Sequence, residues 1–296
     1  MRAFQMLRTL WMVLAAASLV SVCLSQSATD GQQAKISLAS DTESGICSGS
    51  MPEKAVGAAL RLVCVRNLSE IRNIAVQKAI IIGFVGGFVR SNDVRHPEVQ
   101  FVAYLRQTYP SEVHAEVFAN HDGNHALRRV LQLLSKDGDG VITSREKQEA
   151  SIIIYGHSWG GSQVVTLARE LGQLQVPVSL TILVDSVHKP GHDDAVIPAN
   201  VRSAVNFYET TGLIHGRSHI RASDPSSTSI MGNYHMQYQN RRIDCQNYPW
   251  IARQLNRPHH EIENDPLVWQ RIAALINSEL IQGASLEKAS VPSTSL

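Results

Sequence analysis

Ser158 is the residue whose neighbours best equip it for covalent chemistry. It stands at the centre of Gly156-His157-Ser158-Trp159-Gly160, a G-x-S-x-G segment. Apolar Ile152-Ile153-Ile154-Tyr155 precedes it, and a run of helical period follows it through Val164, Val165, Leu167, Ala168 and Leu171. Strand, sharp turn and helix is the pattern that lifts a serine hydroxyl clear of its own backbone. The turn predicts a positive φ at Ser158, and the close packing two residues to either side predicts no room for a Cβ at Gly156 or Gly160. The N–H of Trp159 opens the helix, where the dipole and free amides favour negative charge, so it is a candidate donor to a developing oxyanion.

A serine nucleophile needs a base, and the base needs an orienting acid. With the chain order serine, acid, histidine, the base is expected late, just ahead of the last helix. His259 and His260, in a segment expected to be a loop, both qualify. The acid is expected at a strand end between them. Asp185, directly after the apolar run 176–184, is the first candidate, and Asp194 and Glu209 are the alternatives. A second oxyanion donor is expected from the glycine-rich stretch Gly83-Phe84-Val85-Gly86-Gly87, through the N–H of Phe84 or Val85.

A second motif points to a cation. Residues 135–146 follow the spacing of an EF-hand loop: Asp137 at the third position, Asp139 at the fifth, Gly140 at the sixth, Val141 at the seventh (a backbone carbonyl ligand) and Glu146 at the twelfth. Ser135 replaces the usual first aspartate, which removes one charged ligand and weakens affinity. The expectation is a structural calcium site, with a polar turn as the alternative. His188, His192, Asp193, Asp194, His259 and His260 match no helix-borne ligand spacing, so metal-dependent hydrolysis is disfavoured. No cofactor is expected to be required.

The elements that must position these groups alternate. Apolar strands are expected at 78–82, 112–118, 152–155 and 176–184, with weaker ones at 201–208 and 229–238. Helices are expected at 97–109 (Val99, Val102 and Leu105 inward), 124–134, after Ser158, and 265–280. This alternation predicts a mostly parallel sheet covered on both faces, with sites gathered at the carboxyl ends of its strands. Three of the segments that could do chemistry follow directly on apolar strands. The stretch after Asp185 is too short for a large helical cap. The longer segment 212–250 carries tyrosines and Trp250 that suit either a pocket wall or packing.

Composition bounds the rest. The chain has 296 residues, 44% apolar and 18% charged, and a net charge of +1, which gives no electrostatic case for nucleic acid. Arg2 and Arg8, an apolar run from Leu10 to Leu24 and small residues up to Ala28 predict a signal peptide over 1–28 and export to the periplasm or beyond. That run is shorter than the ~20 residues a membrane span needs. Residues 29–50 read as a flexible leader and 283–296 as a disordered tail. In an oxidising compartment Cys47 and Cys64 are candidates for a bridge, with a buried free thiol at Cys64 equally natural.

Gly156-His157-Ser158-Trp159-Gly160-Gly161, the glycine-rich loop after Ile80-Ile81-Ile82 and the late His259 together resemble the α/β-hydrolase superfamily, in particular its secreted bacterial esterase and lipase-like members. The resemblance runs from about Lys78 to Leu280 and implies a doubly wound, mostly parallel sheet with no large cap, in a domain expected over 51–282. His259-His260-Glu261-Ile262-Glu263-Asn264-Asp265-Pro266 is similar to the histidine segment of those enzymes, where the first position carries the base, which favours His259. Members usually carry the acid one strand later than Asp185, although some carry it there. The implied activity is hydrolysis of a small-molecule or lipid carboxylic ester through Ser158, His259, Asp185 and an acyl-enzyme. The same triad serves thioesterases, amidases and peptidases, and an inactive binding protein on this fold is a further alternative.

Overall fold

The computed structural model describes residues 77–135, 138, 141–246 and 248–290. The expected signal peptide, leader and Cys47–Cys64 bridge lie outside the described residues, as do Asp137, Asp139 and Gly140 of the EF-hand-like loop.

The elements run β1 (Ala79–Val85), α1 (Pro97–Thr108), β2 (Val113–Ala119), α2 (Gly123–Leu134), α3 (Ser144–Gln148), β3 (Ile152–His157), α4 (Trp159–Gln173) and β4 (Val178–Val184). There follow β5 (Val196–Ile197), β6 (Val201–Tyr208), β7 (Arg221–Ala222), β8 (Ser229–His235), α5 (Trp250–Leu255), α6 (Arg257–Asn264) and α7 (Pro266–Ser290). Six strands form one sheet in the order β2-β1-β3-β4-β6-β8, every neighbouring pair parallel; β5 and β7 form a separate two-stranded sheet. The mostly parallel sheet expected from sequence is thus wholly parallel in its six-stranded part.

The strands are apolar on both sides because both faces are covered. Ile81, Ile153, Tyr155, Leu180, Ile182 and Val184 pack with Phe101, Val102 and Leu105 of α1 and Val268, Ile272 and Ile276 of α7. The alternate residues Ile82, Phe84, Ile152, Ile154 and Leu183 pack with Val130 and Leu134 of α2 and Val164, Leu167 and Leu171 of α4. Burying each such side chain contributes roughly 1.5–3 kcal/mol before chain entropy is charged against it. The chain order reverses between β1 and β3, and that reversal opens a crevice at their carboxyl ends.

Four expectations are corrected. The first strand does not stop at Ile82 but continues through Gly83, Phe84 and Val85, paired with β2 throughout and with β3 as far as Phe84. Gly83 serves the sheet there, since a Cβ would lie 2.5 Å from the Tyr155 ring. In α1 the inward positions belong to Glu98 and Phe101 beside Val102 and Leu105, while Val99 is only half-buried. His259 lies in a short helix, α6, that Pro258 helps to open, and not in a loop. The last helix passes its expected end at Leu280 and ends at Ser290. No helix among the described residues is long and apolar enough to cross a membrane.

Candidate active site

Ser158 joins the end of β3 to the first turn of α4 with φ 55° and ψ −126°, a backbone conformation that costs roughly 1–3 kcal/mol. The sharp turn brings backbone onto backbone. A Cβ on Gly156 would stand 2.6 Å from the Gly160 carbonyl carbon, and one on Gly160 would stand 2.8 Å from that of Phe84. Both expected glycines are therefore required.

The structure brings Ser158, His259 and Asp185 into one chain of hydrogen bonds. Nε2 of His259 accepts from the Ser158 hydroxyl at 3.0 Å, and its Nδ1–H donates to Asp185 Oδ2 at 2.6 Å. This is the tautomer that the two partners dictate. Asp185 follows β4 with φ 43° and is wholly buried. Its other oxygen, Oδ1, accepts from the backbone N–H groups of Glu209 (3.0 Å) and Gly216 (2.8 Å). Gly216 passes so close that a Cβ would lie 2.6 Å from Asp185 Cα.

The alternatives are engaged elsewhere. Asp194 accepts from Ser186 Oγ at 2.8 Å and pairs with Arg217. Glu209 accepts from the N–H groups of Thr211 and Gly212 and closes its own turn. The His260 ring stacks on Tyr248 with centroids 3.8 Å apart. His192 bonds Thr166 at 2.7 Å and His188 bonds Arg217, so the histidines and aspartates of 188–194 do not converge with His259 and His260.

Burial dominates the histidine electrostatics. It pulls the His259 pKa down, but the hydrogen bond and charge of Asp185, with the charges of Glu263 and Glu209, outweigh it and leave the pKa above its usual value. His157, packed against His259 with ring centroids 4.7 Å apart, is pushed down to about 4, chiefly by burial. Burial and the neighbouring histidines take His260 down to about 3.

The oxyanion side differs from expectation in part. Trp159 begins α4, which leaves its N–H among the helix's unpaired first donors. Phe84 pairs with Phe118 of β2 and Gly156 of β3, while Val85, the last residue of β1, pairs with Ala119 of β2 alone, so both stand in the strand and not in the loop. The loop begins at Gly86, against the Ser158 side chain, and turns through Gly87 (φ 46°), closing with Val89 N–H donating to Gly86 O at 3.1 Å. Asn120, at the end of β2, donates to Gly87 O, and Lys189 Nζ donates to Asn120 Oδ1 at 3.3 Å. Phe88, 71% exposed, meets the Trp159 ring edge-on at 5.6 Å and makes an apolar lip. Asn120, Lys189 and Gly216 were missed in the sequence. Asn120 alone carried a signal, its place just past an apolar strand.

At the EF-hand-like loop, Val141 is exposed and the Glu146 carboxylate accepts from both the N–H and hydroxyl of Thr143 at 2.8 Å, forming the capping box of α3. That helix has only five residues.

No protein-family model matches the chain, and no curated protein matches it. Among solved structures, a cutinase-like protein from Cryptococcus sp. superposes with a TM-score of 0.31 at 11% identity, covering 73% of this chain and 97% of that one. An acetylxylan esterase superposes with a TM-score of 0.30 at 8% identity, covering 72% and 99%.

Proposed function

We propose that this chain is a serine hydrolase that cleaves carboxylic esters, with Ser158 as nucleophile, His259 as base and then acid, and Asp185 as the group that orients the imidazole. The observation that supports this reading is the unbroken path from Ser158 Oγ through both nitrogens of His259 to buried Asp185. Oγ attacks the ester carbonyl carbon while its proton passes to His259 Nε2. Asp185 stabilises the imidazolium without taking the proton. The oxyanion accepts from Trp159 N–H and from an amide where β1 passes into its loop, at Phe84, Val85 or residues 86–88, each such donor contributing about 3–4 kcal/mol. His259 then returns its proton to the departing alkoxide, leaving an acyl-Ser158. Water attacks that acyl group, giving its proton to His259, and collapse releases the acid and restores the serine hydroxyl. The apolar lip of Phe88 and Trp159 suits an apolar acyl or alkyl group. With the sequence's basic and apolar leader, the enzyme would act outside the cytoplasm. The reading requires no cofactor.

The test is Ser158→Ala, assayed on p-nitrophenyl esters of graded chain length with a thioester and an anilide alongside. A loss of about 10³-fold or more in kcat/KM is expected, together with loss of covalent fluorophosphonate labelling and an unchanged circular dichroism spectrum. Full activity in the folded variant would end the proposal, and a thioester or anilide cleaved faster than every ester would replace its substrate class.

A further inference from the structure

Next to the Ser158 turn lies a second group of buried ionisable side chains for which the ester chemistry has no use. His96 caps α1, Glu98 sits in its first turn, His157 ends β3, and Glu263 lies near the end of α6, four residues beyond His259. All four are buried. One ligand atom from each of His96, Glu98 and Glu263 falls within 4.8 Å of the other two. His157 Nδ1 lies 3.4 Å from Glu98 Oε1 and 3.5 Å from Glu263 Oε2.

Two features set this group apart from an ordinary buried ion-pair network. First, Glu98 is wholly buried and neither carboxylate oxygen has a hydrogen-bond partner among the described residues. Its near neighbour is the carboxylate of Glu263, with which it can share a bond only if one of them holds a proton. Burial accordingly pushes the Glu98 pKa up. Two carboxylates forced together in a dry interior are what a divalent cation neutralises. Second, the donors and spacings suit a particular class of ion. Nitrogen and oxygen donors at about 2.0–2.2 Å from a tetrahedral centre stand about 3.4 Å apart, which matches the distances from His157. Calcium would want six to eight oxygens.

The supporting contacts fit as well. His96 turns Nδ1 toward Glu263 at 2.7 Å, a hydrogen bond that ligation would replace, while its Nε2 faces Asp93 at 3.9 Å. Tyr248 donates to Glu263 and touches His96 Nδ1 at 3.1 Å. Outer carboxylate and hydroxyl partners of this kind orient ligands in metal sites.

We propose that His96, Glu98, His157 and Glu263 form a closed, buried site for one divalent transition-metal ion, zinc by its donor set, that fastens α6 to the start of α1. With four protein ligands and no open position its role is structural, and through α6 it fixes the helix that carries His259. The proposal does not rest on the hydrolase reading, because its readouts are metal content and melting temperature.

The experiment uses the full chain without a histidine tag, stripped with dipicolinate and then titrated with zinc chloride at micromolar concentrations. Retained zinc is measured by mass spectrometry after desalting, and Tm is followed in parallel. About one zinc per chain is expected, with a Tm rise of about 5 °C or more at saturation. Glu98→Gln keeps the shape and removes a buried charge, so it should fold without metal yet bind zinc at least about tenfold more weakly and show no zinc-dependent Tm rise. His96→Asn should do the same, and serves if the first variant fails to fold. Less than about 0.1 zinc per chain in the parent protein, or wild-type zinc binding in either folded variant, would overturn the site.

Discussion

Asp185→Asn separates an orienting acid from a merely structural one. The two backbone donors at Asp185 Oδ1, from Glu209 and Gly216, can be accepted only by an oxygen. The asparagine must therefore keep its oxygen there and turn its NH₂ toward His259. An NH₂ facing Nδ1 makes that nitrogen an acceptor and moves the ring proton to Nε2, where it points at Ser158 Oγ. The imidazole then stays in place but can no longer take the serine's proton. The expected loss is about 10⁴-fold in kcat, equivalent to about 5.5 kcal/mol of transition-state stabilisation. KM should change by less than about threefold, since Asp185 is buried behind His259 and touches no substrate. The assay is steady-state hydrolysis of a p-nitrophenyl ester, with thermal melting to show that the fold persists. Asp194→Asn is the control. Because Asp194 is bonded to Ser186 and Arg217, its loss should lower Tm while kcat stays within about fivefold. A folded Asp185→Asn enzyme with kcat within tenfold of the parent would refute the assignment and the tautomer argument together.

Three further outcomes follow from the same geometry. The base must be neutral to act, and His259 is raised above its ordinary value, so the acidic limb of kcat/KM should have its midpoint above pH 6.5, with activity falling as pH drops through it; a midpoint below 6.5 would contradict this. Gly160→Ala pushes a methyl group onto the Phe84 carbonyl and should cost about 1–3 kcal/mol in urea denaturation while also lowering kcat, and a silent substitution would show that the elbow is looser than drawn. Calcium at millimolar concentration should raise Tm if 135–146 holds the ion expected from its spacing, whereas an unchanged melt would count against that site.

The sheet and the serine were legible in the sequence because each rests on a local rule. Buried parallel strands read as apolar runs, so β1, β3 and β4 announced themselves. The G-x-S-x-G turn needs its glycines for contacts made within a few residues. Asp185 and His259 were favoured through their places at chain landmarks and, for His259, through its segment's resemblance, but Asp194, Glu209 and His260 stayed open as alternatives. That discrimination comes from long-range contacts, the amides of Glu209 and Gly216 and the stacking of His260 on Tyr248. The end of β1 was misjudged because glycine usually punctuates a strand; here Gly83 makes room for the Tyr155 ring from the next strand. The group of His96, Glu98, His157 and Glu263 was invisible for a stronger reason. Its members come from three elements far apart in the chain, and Glu98 occupies a position that helical periodicity gives to an apolar residue.

What holds the reacting groups in register is a pair of strained turns that constrain each other. Ser158 and Asp185 end adjacent parallel strands, and both have positive φ although neither is glycine. Each such residue costs roughly 1–3 kcal/mol and persists only where its surroundings over-determine it. Here the two turns are cross-tied. Ser158 N–H donates to Val184 O at 3.0 Å, the residue before Asp185, and Val187 N–H donates back to Ser158 O at 3.2 Å. Asp185 N–H donates in turn to Phe207 O at 2.7 Å on the next strand, β6. Neither turn can relax without breaking backbone bonds to its neighbour in an interior where water cannot replace them, at roughly 1–3 kcal/mol for each group left unpaired. The relative placement of hydroxyl and carboxylate is thus set by the sheet itself. His259 is the one member of the three delivered from outside it, on a short helix, and its position depends on what packs behind α6. Glu263, four residues beyond His259 and bonded to His96 at the start of α1, is one of the contacts that hold α6 in place.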